Sequence, residues 1–171
     1  MAKVNKFLLI VFSALLLSSC KDRSIYHQYS STPTLGWSHA DTLHIEPDLI
    51  SSTDIDLLLE VRHSPAYPYK YLYMVCEENL TDSLIVNRDT IALNLIKPDG
   101  RIQGDGVGKI YQLKFYYKTI TRPQFSTNSK LSFYHLMTDT IIDGIEDVGI
   151  RINRADDERD QHLSEGIQII R

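Results

Sequence analysis

Asp54-Ile55-Asp56-Leu57-Leu58-Leu59-Glu60-Val61-Arg62 is the stretch on which the fold turns. Its apolar residues Ile55, Leu57, Leu59 and Val61 recur with a period of two. That period places them on one face of an extended strand, whereas a helix would need 3.6. The flanking sequence repeats the pattern. Leu43 and Ile45 alternate within Thr42 to Glu46, and Tyr69 to Cys76 is an aromatic-rich run that suits a strand. Leu84 to Val86 and Thr90 to Ile96 read as two strands around a turn at Asn87-Arg88. Ile110 to Thr121 is a long β-prone segment ahead of Pro123, and Lys130 to Met137 and Gly149 to Asn153 supply two more. Pro98-Asp99-Gly100 is a turn, because proline presets φ and glycine accepts a positive one. Proline and glycine fall between the runs, where they interrupt no ladder. The expectation is an all-β fold: a single β-sandwich, jelly-roll-like or Ig-like, of about eight strands. Leu57, Leu59, Leu72 and Ile150 are expected in its core.

The N-terminus follows different rules. Lys3 and Lys6 precede the apolar run Phe7 to Leu17, and Leu17-Ser18-Ser19-Cys20 comes next. A positive flank, a short apolar core and small residues before a cut site make a secretory signal, too short for a bilayer span. Leu-Ser-Ser-Cys fits a bacterial lipobox, in which the cysteine thiol takes diacylglycerol and becomes the first residue. Cys20 is therefore the expected lipidation site, with more than one acyl chain holding the mature protein to a membrane. The expected organisation is a lipoprotein signal peptide over 1–19, a lipidated N-terminus and polar tether over 20–40 pinned where Trp37 docks, the sandwich over 41–154, and a polar tail over 155–171. Within that tail Asp156-Asp157-Glu158-Arg159-Asp160 is a charge run, while Ile167, Ile169 and Ile170 leave room for one late strand.

Removal of residues 1–19 leaves 152 residues, one domain with enough length to bury a core. The formal charge of −4 becomes −6, because Lys3 and Lys6 leave and no acid goes with them. A mildly acidic chain argues against nucleic acid and against a polybasic membrane patch. With Cys20 committed to lipid, Cys76 stands alone and reads as a small buried hydrophobe.

The possible chemical sites are weak. Gly104, Gly106 and Gly108 are followed by a strand-like alternation rather than a helix, so they read as a flexible connection between strands, not a phosphate loop. The six histidines show no metal-site spacing, and His135 reads as packed or half exposed. Asp143, Glu146 and Asp147 are rich enough in oxygen for calcium but lack EF-hand spacing, and read as a polar turn before the last strand. No Gly-x-Ser-x-Gly elbow, metal cluster or nucleophile–base pair is legible, so no enzyme activity, cofactor or metal is expected. Tyr67, Tyr69, Tyr71 and Tyr73 alternate strictly and would share a face if they lay in one strand. Exposed, they are candidate partner-binding residues for a protein or a glycan; half-buried under a loop, they are packing.

Taken in order, several segments resemble a known family. These are the lipobox, the Trp37 region, Arg62-His63-Ser64-Pro65-Ala66-Tyr67-Pro68-Tyr69-Lys70-Tyr71-Leu72-Tyr73, Pro98-Asp99-Gly100 with Gly104-Asp105-Gly106-Val107-Gly108, and Ile145-Glu146-Asp147-Val148-Gly149-Ile150-Arg151-Ile152. The chain is similar to the gliding motility lipoprotein family GldH of the Bacteroidetes. The resemblance implies a non-catalytic accessory or scaffold component of the envelope, and carries no catalytic residue. Lys21 rather than aspartate after the lipid cysteine implies outer-membrane sorting, with the face left open. Expected partners are the membrane, through the lipid, and envelope proteins. The rival expectation is a carbohydrate-binding surface lipoprotein assisting glycan uptake.

Overall fold

The computed structural model describes residues 24–48, 53–80, 86–121, 129–155 and 163–170. Within them every regular element is a strand: β1 (Tyr26–Ser31), β2 (Trp37–Ser38), β3 (Leu43–Ile45), β4 (Ile55–His63), β5 (Tyr71–Asn79), β6 (Asn87–Asn94), β7 (Asp105–Val107), β8 (Ile110–Ile120), β9 (Lys130–His135), β10 (Ile141–Ile142), β11 (Ile145–Arg154) and β12 (Ile167–Ile170). One five-stranded sheet has the order β1-β11-β4-β8-β7, and the other β12-β6-β5-β9-β3. A short β10-β2 ribbon completes the antiparallel set. The all-β sandwich read from the sequence is the fold.

Strand β4 lies at the centre of the first sheet, between β11 and β8. Its Ile55, Leu57, Leu59 and Val61 enter one core cluster. The same cluster takes Val148, Ile150 and Ile152 from β11, Leu113 and Phe115 from β8, and Leu72, Met74, Ile91, Leu93, Leu131 and Phe133 from the opposing sheet. The period of two thus becomes an interlocked slab with one apolar face from each sheet. Trp37 is fully buried, and its indole N–H donates to Asp41 O at 3.0 Å.

Two devices join the sheets at their margins. Strand β8 carries a bulge: Lys118 opposes Leu57, Tyr116 opposes Leu58, and Tyr117 is the extra residue. A bulge re-aims side chains. Here Tyr117 donates to Asp89 Oδ2 at 2.6 Å and Lys118 pairs with the buried Glu78, both acids belonging to the opposing sheet. On the side where β12 lies, the C-terminal segment acts as a clasp. Ser164 N–H donates to Lys114 O of β8 at 2.6 Å, and Asn94 N–H of β6 donates to Gly166 O at 2.9 Å. Gly166 has φ +100°, and a Cβ there would sit 2.7 Å from Asn94 Cβ, so the crossing between sheets needs glycine.

Five sequence expectations change. The segment read as a tether over 20–40 is structured in its described part: Ile25 N–H donates to Ile152 O at 2.9 Å and Tyr26–Ser31 is the edge strand β1. An edge strand of Tyr, His, Gln and Ser has no aliphatic alternation to announce it. The fold likewise extends past 154 into β12, and the short strands bring the total among the described residues to twelve rather than about eight. Asn87-Arg88 is not a turn: it opens β6, opposite Glu78 and Glu77. The glycine run is not a loose connection. Asp105–Val107 pairs with Ile110–Gln112 as a hairpin, with Gly108 at φ +69°.

Leu59 sits in the middle of the slab. Leu59→Ala is expected to lower the unfolding free energy by about 2–5 kcal/mol. Urea denaturation followed by circular dichroism measures it, and a variant as stable as its parent contradicts the packing.

Candidate interaction surface

The four tyrosines do not form one row. Only Tyr71 and Tyr73 lie in β5, and Tyr67 and Tyr69 precede it. Tyr67 is 6% exposed and belongs to the core cluster. Its hydroxyl donates to Tyr71 O at 2.9 Å, and burial pushes the phenol up from its usual pKa. Proline at 68 and the close passage of Gly144 explain the departure: a Cβ on Gly144 would lie 2.1 Å from Tyr67 N. Tyr69 is half-buried, edge-on to Tyr67, with its hydroxyl on Asp139.

Tyr71 and Tyr73 are on the outer face of the second sheet, because Leu72, Met74 and Cys76 between and beyond them point into the core. Their rings lie 6.2 Å apart, and Lys70 Nζ is 5.2 Å from the Tyr71 ring. Tyr73 is 38% exposed beside Leu136, which is 47% exposed and donates its N–H to Tyr73 O at 2.8 Å. Buried Val75 and half-buried Tyr134, directly opposite it on β9, continue the same face. The surviving surface is a compact aromatic and aliphatic patch with a cation at its border, of the composition that makes docking hot spots.

The outer face of the first sheet holds a cluster that the alternation of β4 did not announce. Glu60 is fully buried there. Its Oε1 accepts from Arg151 Nε at 2.6 Å; Oε2 meets His27 Nε2 at 2.9 Å, Gln112 Nε2 at 3.2 Å and the Tyr29 hydroxyl. Burial alone would raise this carboxyl. The Arg151 and Tyr29 hydrogen bonds, with the Arg151 and His27 charges, outweigh it and hold the pKa below the usual value. Arg62 stacks 3.8 Å over the Tyr29 ring and pairs with Asp147 at 3.5 Å, and Asp147 also accepts from Ser31 at 2.6 Å. The Asp147-Val148-Gly149-Ile150-Arg151-Ile152 segment now has a reading at every position. Val148, Ile150 and Ile152 enter the core, Asp147 and Arg151 take charge partners, and Gly149 clears the way for Tyr29. A Cβ on Gly149 would stand 2.4 Å from Tyr29 Cδ1. The one signal in the sequence was a glycine inside a strand, which marks a close approach. Every Glu60 oxygen has a donor, so the cluster cements the sheet rather than offering a free acid or base.

The remaining candidates are committed to structure. Cys76 is buried, and burial pushes its thiol up, away from the thiolate. His135 Nδ1 accepts from Met137 N–H at 3.3 Å, so Nε2 carries the proton to Trp37 O at 3.1 Å. Burial and the neighbouring His39 hold that ring neutral. Asp143 accepts from Gly144 N–H at 2.7 Å, and with Glu146 and Asp147 lines a cleft of about 290 Å³. Among the described residues no group of three or more His, Cys, Asp or Glu is placed to hold a metal ion. Cys20 lies outside the described residues.

Gly149→Ala would ordinarily strengthen a strand. Here it is expected to destabilise by about 1–3 kcal/mol through overpacking on Tyr29. The Gly149→Ala/Tyr29→Ser double variant is expected to lose less than the sum of the singles in urea denaturation. Additive losses contradict the contact.

The family model described as GldH lipoprotein matches residues 24–152. Over 156 residues the chain is 30% identical to a gliding motility lipoprotein GldH homolog of Christiangramia forsetii, covering 86% of this chain and 94% of that protein. It is 26% identical, again over 156 residues, to the gliding motility lipoprotein GldH of Flavobacterium johnsoniae, covering 86% and 96% respectively. No solved structure matches.

Proposed function

Because this chain belongs to the GldH lipoprotein family, we propose that it is a lipid-anchored, non-catalytic docking component of the cell envelope. The observation that carries the reading is the extent of the family match, which runs from the edge strand β1 into β11 and so takes in every strand of the two sheets but β12. The relatives are named for gliding motility, and the same class of work is assigned here: an accessory or scaffold component of a motility apparatus. The Leu17-Ser18-Ser19-Cys20 lipobox supports a thioether lipid on Cys20 after removal of residues 1–19, and Lys21 supports transfer to the outer membrane.

The commitments of the titratable groups support a binding role over a catalytic one. Glu60 is saturated with donors, Cys76 is buried, and His135 is fixed as a neutral donor. Tyrosine brings large contact area with few rotamers to freeze, so Tyr71 and Tyr73 could hold a protein partner on the outer face of the second sheet.

Two experiments test the reading. Cys20→Ala is expected to abolish incorporation of a labelled fatty acid and to leave unprocessed precursor; label retained in the variant contradicts the anchor. Tyr71→Ala/Tyr73→Ala is expected to lose a co-purifying envelope protein while keeping the parent's thermal midpoint. Tyr67→Ala is expected to destabilise instead, by about 3 kcal/mol or more, as a core aromatic. Glycan binding that depends on Tyr71 and Tyr73, with no protein partner recovered, contradicts the docking role.

A further inference from the structure

We infer that the lipid holds one particular end of the sandwich toward the bilayer and directs the end that carries Tyr71 away from it. The inference rests on lipidation of Cys20, proposed above, and on the chain geometry that follows it.

The chain is already held to the first sheet at Ile25, whose N–H is fixed to Ile152 O at 2.9 Å. Only Lys21, Asp22, Arg23 and Ser24 stand between that residue and the lipid cysteine. Five residue steps reach at most about 18 Å when fully extended. A tether running to residue 40 would have reached about 70 Å and left the domain free to turn. The strand pairing of β1 removes that freedom.

The register identifies the anchored end. Tyr26 lies opposite Ile152, Ile152 opposite Leu57, and beside them Arg154 is opposite Ile55 and Ile55 opposite Ile120. The opposing sheet is aligned with this end through a chain of contacts. The Tyr26 hydroxyl donates to Glu46 O at 3.3 Å, Glu46 lies 4.0 Å from Lys130, and Lys130 is opposite Asn79 at the end of β5. Asn79 therefore marks the anchored end of β5, and Tyr71 starts the same strand eight residues away. At the usual rise per residue that separation is about 26 Å, longer than the leash. On the first sheet β1 runs from Tyr26 at the anchored end to Ser31, and Leu35, 91% exposed, lies in the loop beyond. Tilting moves the whole body, but the anchored end stays within reach of the headgroups while the opposite end, which cannot enter the bilayer, spends its time farther out.

The test uses mature lipoprotein reconstituted into vesicles of phosphatidylethanolamine and phosphatidylglycerol that carry an acceptor dye on the headgroups. Arg154→Cys and Leu35→Cys each place a donor dye at one end; Cys76 is buried, and Cys20 carries lipid in the reading under test, so neither takes the dye. Greater energy transfer from position 154 than from position 35 is expected. Inserting about fifteen Gly/Ser residues between Arg23 and Ser24 is expected to bring the two values together, because a flexible linker of that length restores rotation. Equal transfer from the two positions in the vesicle-bound parent, or greater transfer from position 35, overturns the orientation. A protein that carries no lipid and stays off the vesicles overturns the anchor itself, and the orientation with it.

Discussion

Strand β4 is buried on both faces, and the rest of the molecule is arranged around that constraint. Its inner residues need a second sheet, which Leu72 and Met74 of β5, Ile91 and Leu93 of β6, and Leu131 and Phe133 of β9 supply. Its outer face carries Glu60, and a buried carboxylate is costly unless fully paired. The pairing draws on both sides of the sheet: Arg151 from β11, His27 and Tyr29 from β1, and Gln112 from β8. Tyr29 can reach only because Gly149 offers no side chain beneath its ring. A single acid thus fixes the identity of a glycine one strand away and recruits the N-terminal segment as an edge strand.

On the proposal that Cys20 carries the lipid, that recruitment also bears on orientation: with β1 beginning at Tyr26, few residues separate the anchor from the first strand, and a short connection makes a rigid β-sandwich directional with respect to the bilayer. The distribution of the tyrosines fits the same picture. Tyr67 secures the loop before β5 from inside, whereas Tyr71 and Tyr73 present their rings outside with Leu136. One sequence motif therefore supplies both a core ring and surface rings, and the side of the backbone on which each ring falls decides which.

The margins of the sandwich are closed by polar means. The bulge in β8 turns Tyr117 and Lys118 toward Asp89 and Glu78 of the other sheet, and Ser164 and Gly166 tie the C-terminal segment to β8 and β6. The polar closure lets a domain of modest size keep its apolar residues in one continuous cluster, with few left for the rims.

The fold class was legible because strand alternation is a local property: Ile55, Leu57, Leu59 and Val61 need no neighbour to declare their period. The Leu17-Ser18-Ser19-Cys20 pattern, on which the proposed anchor rests, could be read for a related reason, since a processing enzyme reads a linear stretch. The Asp-Val-Gly-Ile-Arg-Ile segment was visible as a motif, but its glycine was not explained until Tyr29 was seen to cross it. Strand β1 was not legible, because an edge strand is stabilised by the ladder it joins and its own side chains need not be aliphatic. The same applies to the split of the tyrosines, for alternation fixes a shared face only while the chain stays extended, and the approach of Gly144 ends that before β5 begins. The sequence by itself determined which residues seek a core, because strand alternation is a property of short segments, and it carries the linear pattern on which the proposed cut and anchor rest. Only the tertiary structure decided which charge is buried, which tyrosines face outward and which end of the sandwich the N-terminal strand enters, because each depends on segments far apart in the chain meeting in one register.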